Sequence, residues 1–425
     1  MSTSAMPDGT NYIALTIEML AERLSSVPAV AERVGADSGS WSVREVGDGN
    51  LNLVFIVEGS AGTVVVKQAL PYVRLVGESW PLPLTRAFFE YHALTRQAAR
   101  DPGRVPEIFH YDAEQALIVM EFLTPHTILR GKLIAGDKIE DLGGVLGRFC
   151  ARTAFRSSDL HMPTAERKAD AALFLANVDL CAITEDLVFT DPYFEAELNH
   201  HTDGLDPVVA KLRGDVAMKA EAQHMLTKFA SNAETLAHGD LHTGSVMCTA
   251  TETMVIDPEF AVYAPMGFDI GMLIANFLMA FFSQPAHRDA DDLKAYQDWI
   301  MEVTAEVWSS FEVEFRHLWA TERSGILYPK TMFEDQGHSS EGALNDKLAM
   351  ILEDAIGVCG IEMHRRILSL AHNAEFETIE DTGVRAPLEA RCLMMGRALI
   401  LDRATITSLD TVLAMARSMN EEQVL

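Results

Sequence analysis

The chain has 425 residues, 48% of them hydrophobic and 23% charged, with a formal net charge of −28. That length exceeds one compact core, so two lobes are expected, and the composition is that of an ordinary globular protein. The acidic balance argues against a nucleic-acid partner read through its phosphates and disfavours an anionic membrane surface; any anionic ligand must rely on a few placed cations. Five scattered cysteines, without a C-x-x-C pair, give no disulfide framework or zinc site, and Cys248 reads as a small buried residue. The first twenty residues show no basic region followed by an apolar run, so the expected location is cytoplasmic.

In chain order, residues 13–34 predict one or two short helices, with Thr16 before a periodic run of Leu20, Leu24 and Val27. Residues 41–46, 51–57 and 63–66 are strand-like, and the third run leads into Lys67. The loop between the first two strands is Gly47-Asp48-Gly49-Asn50. Glycine lets backbone N–H groups approach phosphates, and Lys67 would add a point charge, although Asp-Gly also marks a plain hairpin turn. Residues 71–83, containing Trp80, predict a proline-bounded loop. A helix over 85–100 starts at Thr85 as its cap and carries Glu90, which on residue type alone reads equally as solvated.

Strands are expected over 105–111 and 116–122, and helical periodicity takes over from Thr124. The expected division is therefore an N-terminal lobe over 1–123 and a helical C-terminal lobe over 124–425. Within the latter, helices are predicted over 139–155, much of 165–233, 290–321, 347–372 and 385–418, with loops around Pro192 and Pro207 and over 325–340. Trp299, Trp308 and Phe311 read as core. The apolar run 270–282 contains Asn276 and is too short to span a bilayer, so it reads as a buried helix. Arg365-Arg366 are adjacent on a helix, which ordinarily leaves one arginine solvated and one in a salt bridge.

The stretch 238–271 carries most of the chemistry: HGDLHTGS, then IDPEFA, then PMGFDIG. Residues 253–256 form a short apolar strand with Asp257 at its end, where α/β proteins often expose catalytic side chains. In an extended chain Asp257 and Glu259 point to the same side and can face one metal ion. An Asp near a hydroxyl, followed by an acid pair, suits phosphoryl transfer: Asp240 orients and deprotonates a hydroxyl, while the other acids hold Mg²⁺ against phosphates.

At these residues the chain resembles the aminoglycoside phosphotransferase and choline kinase group, a branch of the protein-kinase-like fold. HGDLHTGS, DPEFA and PMGFDIG together are similar, more narrowly, to the methylthioribose kinase family. The resemblance runs from near Ser40 to near Asp381 and implies an α+β fold of two lobes, a small sheet-rich one and a large helical one. It implies ATP and Mg²⁺ as cofactors and 5-methylthioribose as the small-molecule substrate, phosphorylated at its anomeric hydroxyl. Under it, Gly47, Asp48, Gly49, Asn50 and Lys67 meet the ATP phosphates, with Asn52 departing from the glycine pattern of protein kinases. Glu90 pairs with Lys67, and backbone groups of Glu121 and Leu123 meet the adenine edge. Asp240 is catalytic, Asp257 and Glu259 ligate metal, Asp269 holds the catalytic loop, and Arg365 and Arg366 serve the sugar side. Ser245 stands where related kinases carry Asn, which leaves the second metal ligand open. Other substrates of this fold (an aminoglycoside, choline or homoserine) and an inactive nucleotide-binding scaffold are the alternatives. A homodimer stays open.

Overall fold

A computed structural model describes residue 9 and residues 11–47, 51–74 and 77–424. The predicted phosphate-loop residues Asp48, Gly49 and Asn50 lie outside the described residues. The chain groups into two units. The first takes the described residues of Met1–His126 with Asn177–Leu180 and Met254–Ala261; the second takes Thr127–Ala176, Cys181–Thr253 and Val262–Leu425. Chain order placed 254–261 with the helical lobe, whereas its contacts group it with the sheet.

The first unit is built on a five-stranded antiparallel sheet in the order Ser42–Val46, Asn52–Glu58, Thr63–Ala69, Leu117–Glu121, Ile108–Asp112. Side chains alternate across a strand, and the apolar ones do so in register. Phe55 and Val57, Val64 and Val66, and Leu117 and Val119 form one core with Leu20, Leu24, Val30 and Val34. Those last four come from the helices Ile17–Ser25 and Pro28–Val34, so one sheet face is sealed by the amphipathic pair expected from the sequence. Lys67 follows Val66 and therefore projects from the opposite face, as does Ala69, which packs with Ala87 of the helix Arg86–Arg100.

Three local expectations change. The third strand continues past Lys67 to Ala69, so the lysine is paired on both sides of its strand, opposite Val54 and Ile118. Residues 71–83 are not simply a loop: Tyr72–Val73 and Gly77–Pro81 form a two-stranded ribbon. Thr85 does not cap its helix, because its backbone is already helical and its side chain makes no cap bond.

The second unit is mainly helical. Its central helix, Phe268–Ser283, is buried along almost its whole length and packs against Glu341–Leu368, Thr382–Asp402 and Ala290–Thr321. The apolar stretch is therefore a core helix. Gly267 and Gly271, one turn apart, let it approach Glu341–Leu368 backbone to backbone: a Cβ on Gly271 would lie 2.5 Å from the Ala355 carbonyl oxygen. The helix over 290–321 spans Ala290–Thr321 as expected, with Trp308 and Phe311 buried; Trp299 is only half-buried, against Tyr296 and under Lys138. Pro207 lies in the first turn of the helix Asp206–Gly214 where a loop was expected, in keeping with proline's fixed φ at a first turn.

Candidate active site

In the sheet unit, Lys67 Nζ donates to Glu90 Oε1 at 2.8 Å and pairs closely with Asp257 Oδ1. Burial penalises the ammonium, but Asp257, Glu90 and Glu259 outweigh that and raise its pKa. Burial also pushes the Glu90 carboxyl up to about 7, against the attraction of Lys67 and with repulsion from Asp257 and Glu259 adding to the rise. The segment carrying Asp257 is tied to this unit by Val255 N–H donating to the Arg104 carbonyl (2.7 Å), and Asn177 Nδ2 donates to the carbonyls of Glu259 (3.0 Å) and Ala261 (3.1 Å).

Asp257 and Glu259 do not share the extended geometry expected of them. Asp257 has φ +68°, in the left-handed region, so a backbone kink rather than a pleat sets the two side chains. Their carboxylates still gather: oxygens of Glu90, Asp257 and Glu259 lie within 4.8 Å of one another. Three hard oxygen donors fit Mg²⁺ better than a softer transition metal.

Sequence reasoning missed the residue that fixes Glu259. Arg86 is fully buried and donates from Nη1 to Asn52 Oδ1 (2.6 Å) and Glu259 Oε2 (3.1 Å), and from Nη2 to the carbonyls of Leu51 (2.6 Å) and Leu70 (2.7 Å). Asn52 Nδ2 also donates to Glu259 Oε2 at 3.2 Å, so the residue replacing a third glycine braces the acid. An arginine at a helix start carries no sequence mark of burial. Among the described residues nothing lies within 4 Å of where a Cβ on Gly47 would sit. Glu121 ends its strand exposed, and its N–H donates to the Glu107 carbonyl at 2.8 Å; Leu123 is buried.

In the helical unit, the strand Thr235–Ala237 pairs with Val262–Ala264 and delivers the loop that starts at His238. Gly239 has φ +89°, and Asp269 accepts the N–H groups of His238 (2.6 Å) and Gly239 (3.1 Å), holding the loop from the first turn of the central helix. Ser245 Oγ donates to the Asp240 carbonyl at 3.0 Å, closing the loop on itself.

Both arginines of the adjacent pair are buried, and neither is solvated as an ordinary helix face would have it. Arg365 Nη1 and Arg366 Nη2 donate to Asp240 Oδ1 at 2.9 and 3.0 Å. Asp240 Oδ2 lies 3.3 Å from His242 Nε2, whose Nδ1 accepts the Gly244 N–H at 2.9 Å and so leaves Nε2 as the donor. A carboxylate offers about four lone-pair positions. Among the described residues Oδ1 has two donors and Oδ2 one, so the remaining capacity is on Oδ2. Burial alone would raise the Asp240 pKa, but Arg365, His242 and Arg366 hold it well below the usual carboxylate range. Burial, with Arg366 and Arg130 adding to it against the pull of Asp240, lowers the His242 pKa to about 4 and keeps the ring neutral.

Around this core lie charges that the sequence did not single out. Glu362 meets both arginines, and Arg130 pairs with buried Glu375 at 3.2 Å while donating to Asn276 Oδ1 (3.2 Å) and Thr243 Oγ1 (3.3 Å). Burial lowers the Arg130 pKa and raises that of Glu375. Cys248 is buried, its thiol pushed up to about 11, so it is no nucleophile at neutral pH.

Residues 42–306 match the phosphotransferase enzyme family. The chain is 44% identical to a methylthioribose kinase of Escherichia coli over 419 residues, 98% of this chain and 99% of that one. It is 40% identical to methylthioribose kinase 1 of Oryza sativa subsp. japonica, covering 94% of each chain, and 42% identical to a methylthioribose kinase of a Geobacillus species, covering 86% of this chain and 87% of that one. Among solved structures, a glucosamine kinase in complex with glucosamine, ADP and inorganic phosphate is 15% identical, with a TM-score of 0.45 over 88% of this chain and 85% of that one. The chain belongs to the phosphotransferase enzyme family and, within it, to the methylthioribose kinases, small-molecule kinases of the kinase-like fold.

Proposed function

We propose that the protein transfers the γ-phosphoryl group of ATP to the anomeric hydroxyl of 5-methylthioribose, giving 5-methylthioribose 1-phosphate and ADP, a step of methionine salvage. What carries this reading is the near-full-length similarity to methylthioribose kinases from bacteria and plants. The geometry supports the following roles for individual side chains.

Asp240 Oδ2 accepts the sugar hydroxyl and aims its oxygen at phosphorus; as the new O–P bond forms, the bond to ADP breaks and the hydroxyl proton leaves toward Asp240. A carboxylate gripped by two guanidiniums is weakly basic, so its main contribution is orientation, which a loose phosphoryl-transfer transition state tolerates. Arg365 and Arg366 keep their charge throughout and present donors to oxygen whose charge grows during transfer. Lys67, held by Glu90, meets the nucleotide phosphates, and Gly47 lies on the same side of the nucleotide. Glu121 and Leu123 take the adenine edge. Asp257 and Glu259 would hold Mg²⁺, which supplies charge neutralisation on the phosphate oxygens when bound. Arg86 and Asn52 keep Glu259 in place for that role.

The test is an ADP-release assay coupled to a substrate panel. Methylthioribose should be turned over with a kcat/KM at least about a hundredfold above choline, homoserine or an aminoglycoside. The net charge of −28 favours cationic ligands in general, so equal or faster turnover of a cationic substrate would replace methylthioribose as the assignment.

A further inference from the structure

We propose that Glu362 is a positioning residue for this reaction: its carboxylate holds Arg365 and Arg366 together so that both grip Asp240 Oδ1 and leave Oδ2 to orient the sugar hydroxyl. The inference rests on the phosphotransfer reading given above.

The helix geometry is the starting point. Adjacent residues on an α-helix diverge by about 100°, so two neighbouring arginines have no intrinsic reason to reach one atom. Seen from Glu362, however, the residues three and four further on lie about 60° to one side and about 40° to the other. One carboxylate at that spacing sits between the two guanidiniums and can draw both onto its own face. The distances show this arrangement: Glu362 Oε2 accepts from Arg365 Nη1 at 3.1 Å, and Oε1 from Arg366 Nε at 2.6 Å. Arg365 uses the same Nη1 for Asp240, whereas Arg366 turns Nη2 toward it, so the pair bridges the two acids.

Burial makes the arrangement demanding. Glu362 is fully buried on Glu341–Leu368, the helix packed against the central one. Its other neighbour of note is Asn276 on the central helix, whose Nδ2 lies 3.5 Å from Oε1. Burial would raise the Glu362 carboxyl, but Arg366 and Arg365 outweigh it and keep the group ionised. Without that charge two guanidiniums would share a single carboxylate, repelling each other in a dry setting. Asp240 would then keep its place in the loop while losing a fixed direction for Oδ2.

The experiment compares wild type with Glu362→Gln, which keeps the shape but removes the charge and turns one acceptor into a donor. Glu362→Asp keeps the charge but withdraws it by one methylene, and serves if the first variant does not fold. Expected for Glu362→Gln is a fall in methylthioribose kcat/KM of at least about thirtyfold, with the KM for ATP within about twofold and a smaller fall for Glu362→Asp. A second readout does not depend on turnover. The ¹H–¹⁵N guanidinium resonances of Arg365 and Arg366 should be slowly exchanging in wild type and averaged in the variant. Kinetics within about twofold of an active wild type, or guanidiniums as immobile in the variant as before, would overturn the proposal, as would a lowered melting temperature with unchanged kinetics of the folded fraction. If wild type fails to turn over methylthioribose, the functional reading falls, and the resonances still decide whether Glu362 positions the pair.

Discussion

The sheet unit and the helical unit each gather a cluster of ionised side chains, part-exposed at Asp257 in the first, but the two are charged differently. In the sheet unit Glu90, Asp257 and Glu259 face Lys67 and Arg86, leaving negative charge in excess. In the helical unit Asp240, Glu362 and Glu375 face Arg130, Arg365 and Arg366, His242 stays neutral, and the further acid Asp269 is turned to the N–H groups of His238 and Gly239. Burying unlike charges in equal number lets a cluster hold a fixed geometry with no ligand present. An excess of carboxylate is relieved either by protonation, as the raised Glu90 pKa reflects, or by a cation brought from solution. On the proposed reading the second route is Mg²⁺, so one cluster is completed by its ligand while the other is already complete.

The largest effect should come from breaking the balanced cluster at its centre. Asp240→Asn is expected to lower kcat by about a thousandfold or more, equivalent to about 4 kcal/mol, with ATP affinity nearly unchanged. Retention of more than about a tenth of wild-type kcat would remove Asp240 from the chemistry. A pH titration then tests whether His242 is neutral as the balance requires. Its pKa is about 4 in the fold against 6.5 as a free side chain, so the neutral ring's contribution is present above about pH 6.5 and is lost as pH falls towards 4. Replacement by Gln should therefore make the acid loss of unfolding free energy over that window shallower by about 3 kcal/mol. Parallel curves for the two proteins would mean that the ring is not held neutral.

The difference between the clusters was only partly legible in the sequence. Lys67 could be placed because a β-branched strand ran into it, and Asp240 and Asp257 because they sit in short distinctive stretches. The alternating strands and the long helix Ala290–Thr321 follow from periodicity, which depends only on neighbours along the chain. Arg86, Arg130, Glu362 and Glu375 show no such pattern, because what buries a charge is a partner far away in sequence: Glu259 for Arg86, and Glu375 for Arg130. One local signal was available. The spacing of Glu362 ahead of Arg365-Arg366 marks a carboxylate able to bridge both, and it bears on whether the pair is solvated. The kink at Asp257 was not legible, since nothing about an aspartate before a proline announces a positive φ.

A gentler perturbation of the balanced cluster keeps its charge and removes only geometry. Arg365→Lys and Arg366→Lys preserve the cation but lose the planar fork that reaches Glu362 and Asp240 at once. Each should lower kcat/KM for the sugar by more than about tenfold, while nucleotide titration without sugar changes little. Near wild-type sugar kinetics in both variants would mean that charge alone, without the fork, maintains the site.

The smallest expected effect tests the other side of the comparison, the acid excess in the sheet unit. Glu259→Gln keeps an oxygen for Arg86 and Asn52, so it avoids the cost of about 3–5 kcal/mol that stranding a buried guanidinium would carry. It does remove one negative charge, which brings the cluster to balance without a cation. A ligand that binds the folded state raises its stability in proportion to the logarithm of its concentration over its Kd. With Mg²⁺ and a non-hydrolysable ATP analogue, the melting temperature of wild type should rise more than that of the variant at the same concentrations. The Mg²⁺ needed for half-maximal turnover should increase by roughly fivefold, a shift of about 1 kcal/mol. In the absence of both ligands the variant should melt at or slightly above wild type, because like charges have been relieved. Equal Mg²⁺-dependent shifts in the two proteins would assign Glu259 a bracing role for Arg86 alone, and the metal would then rest on Asp257 with Glu90.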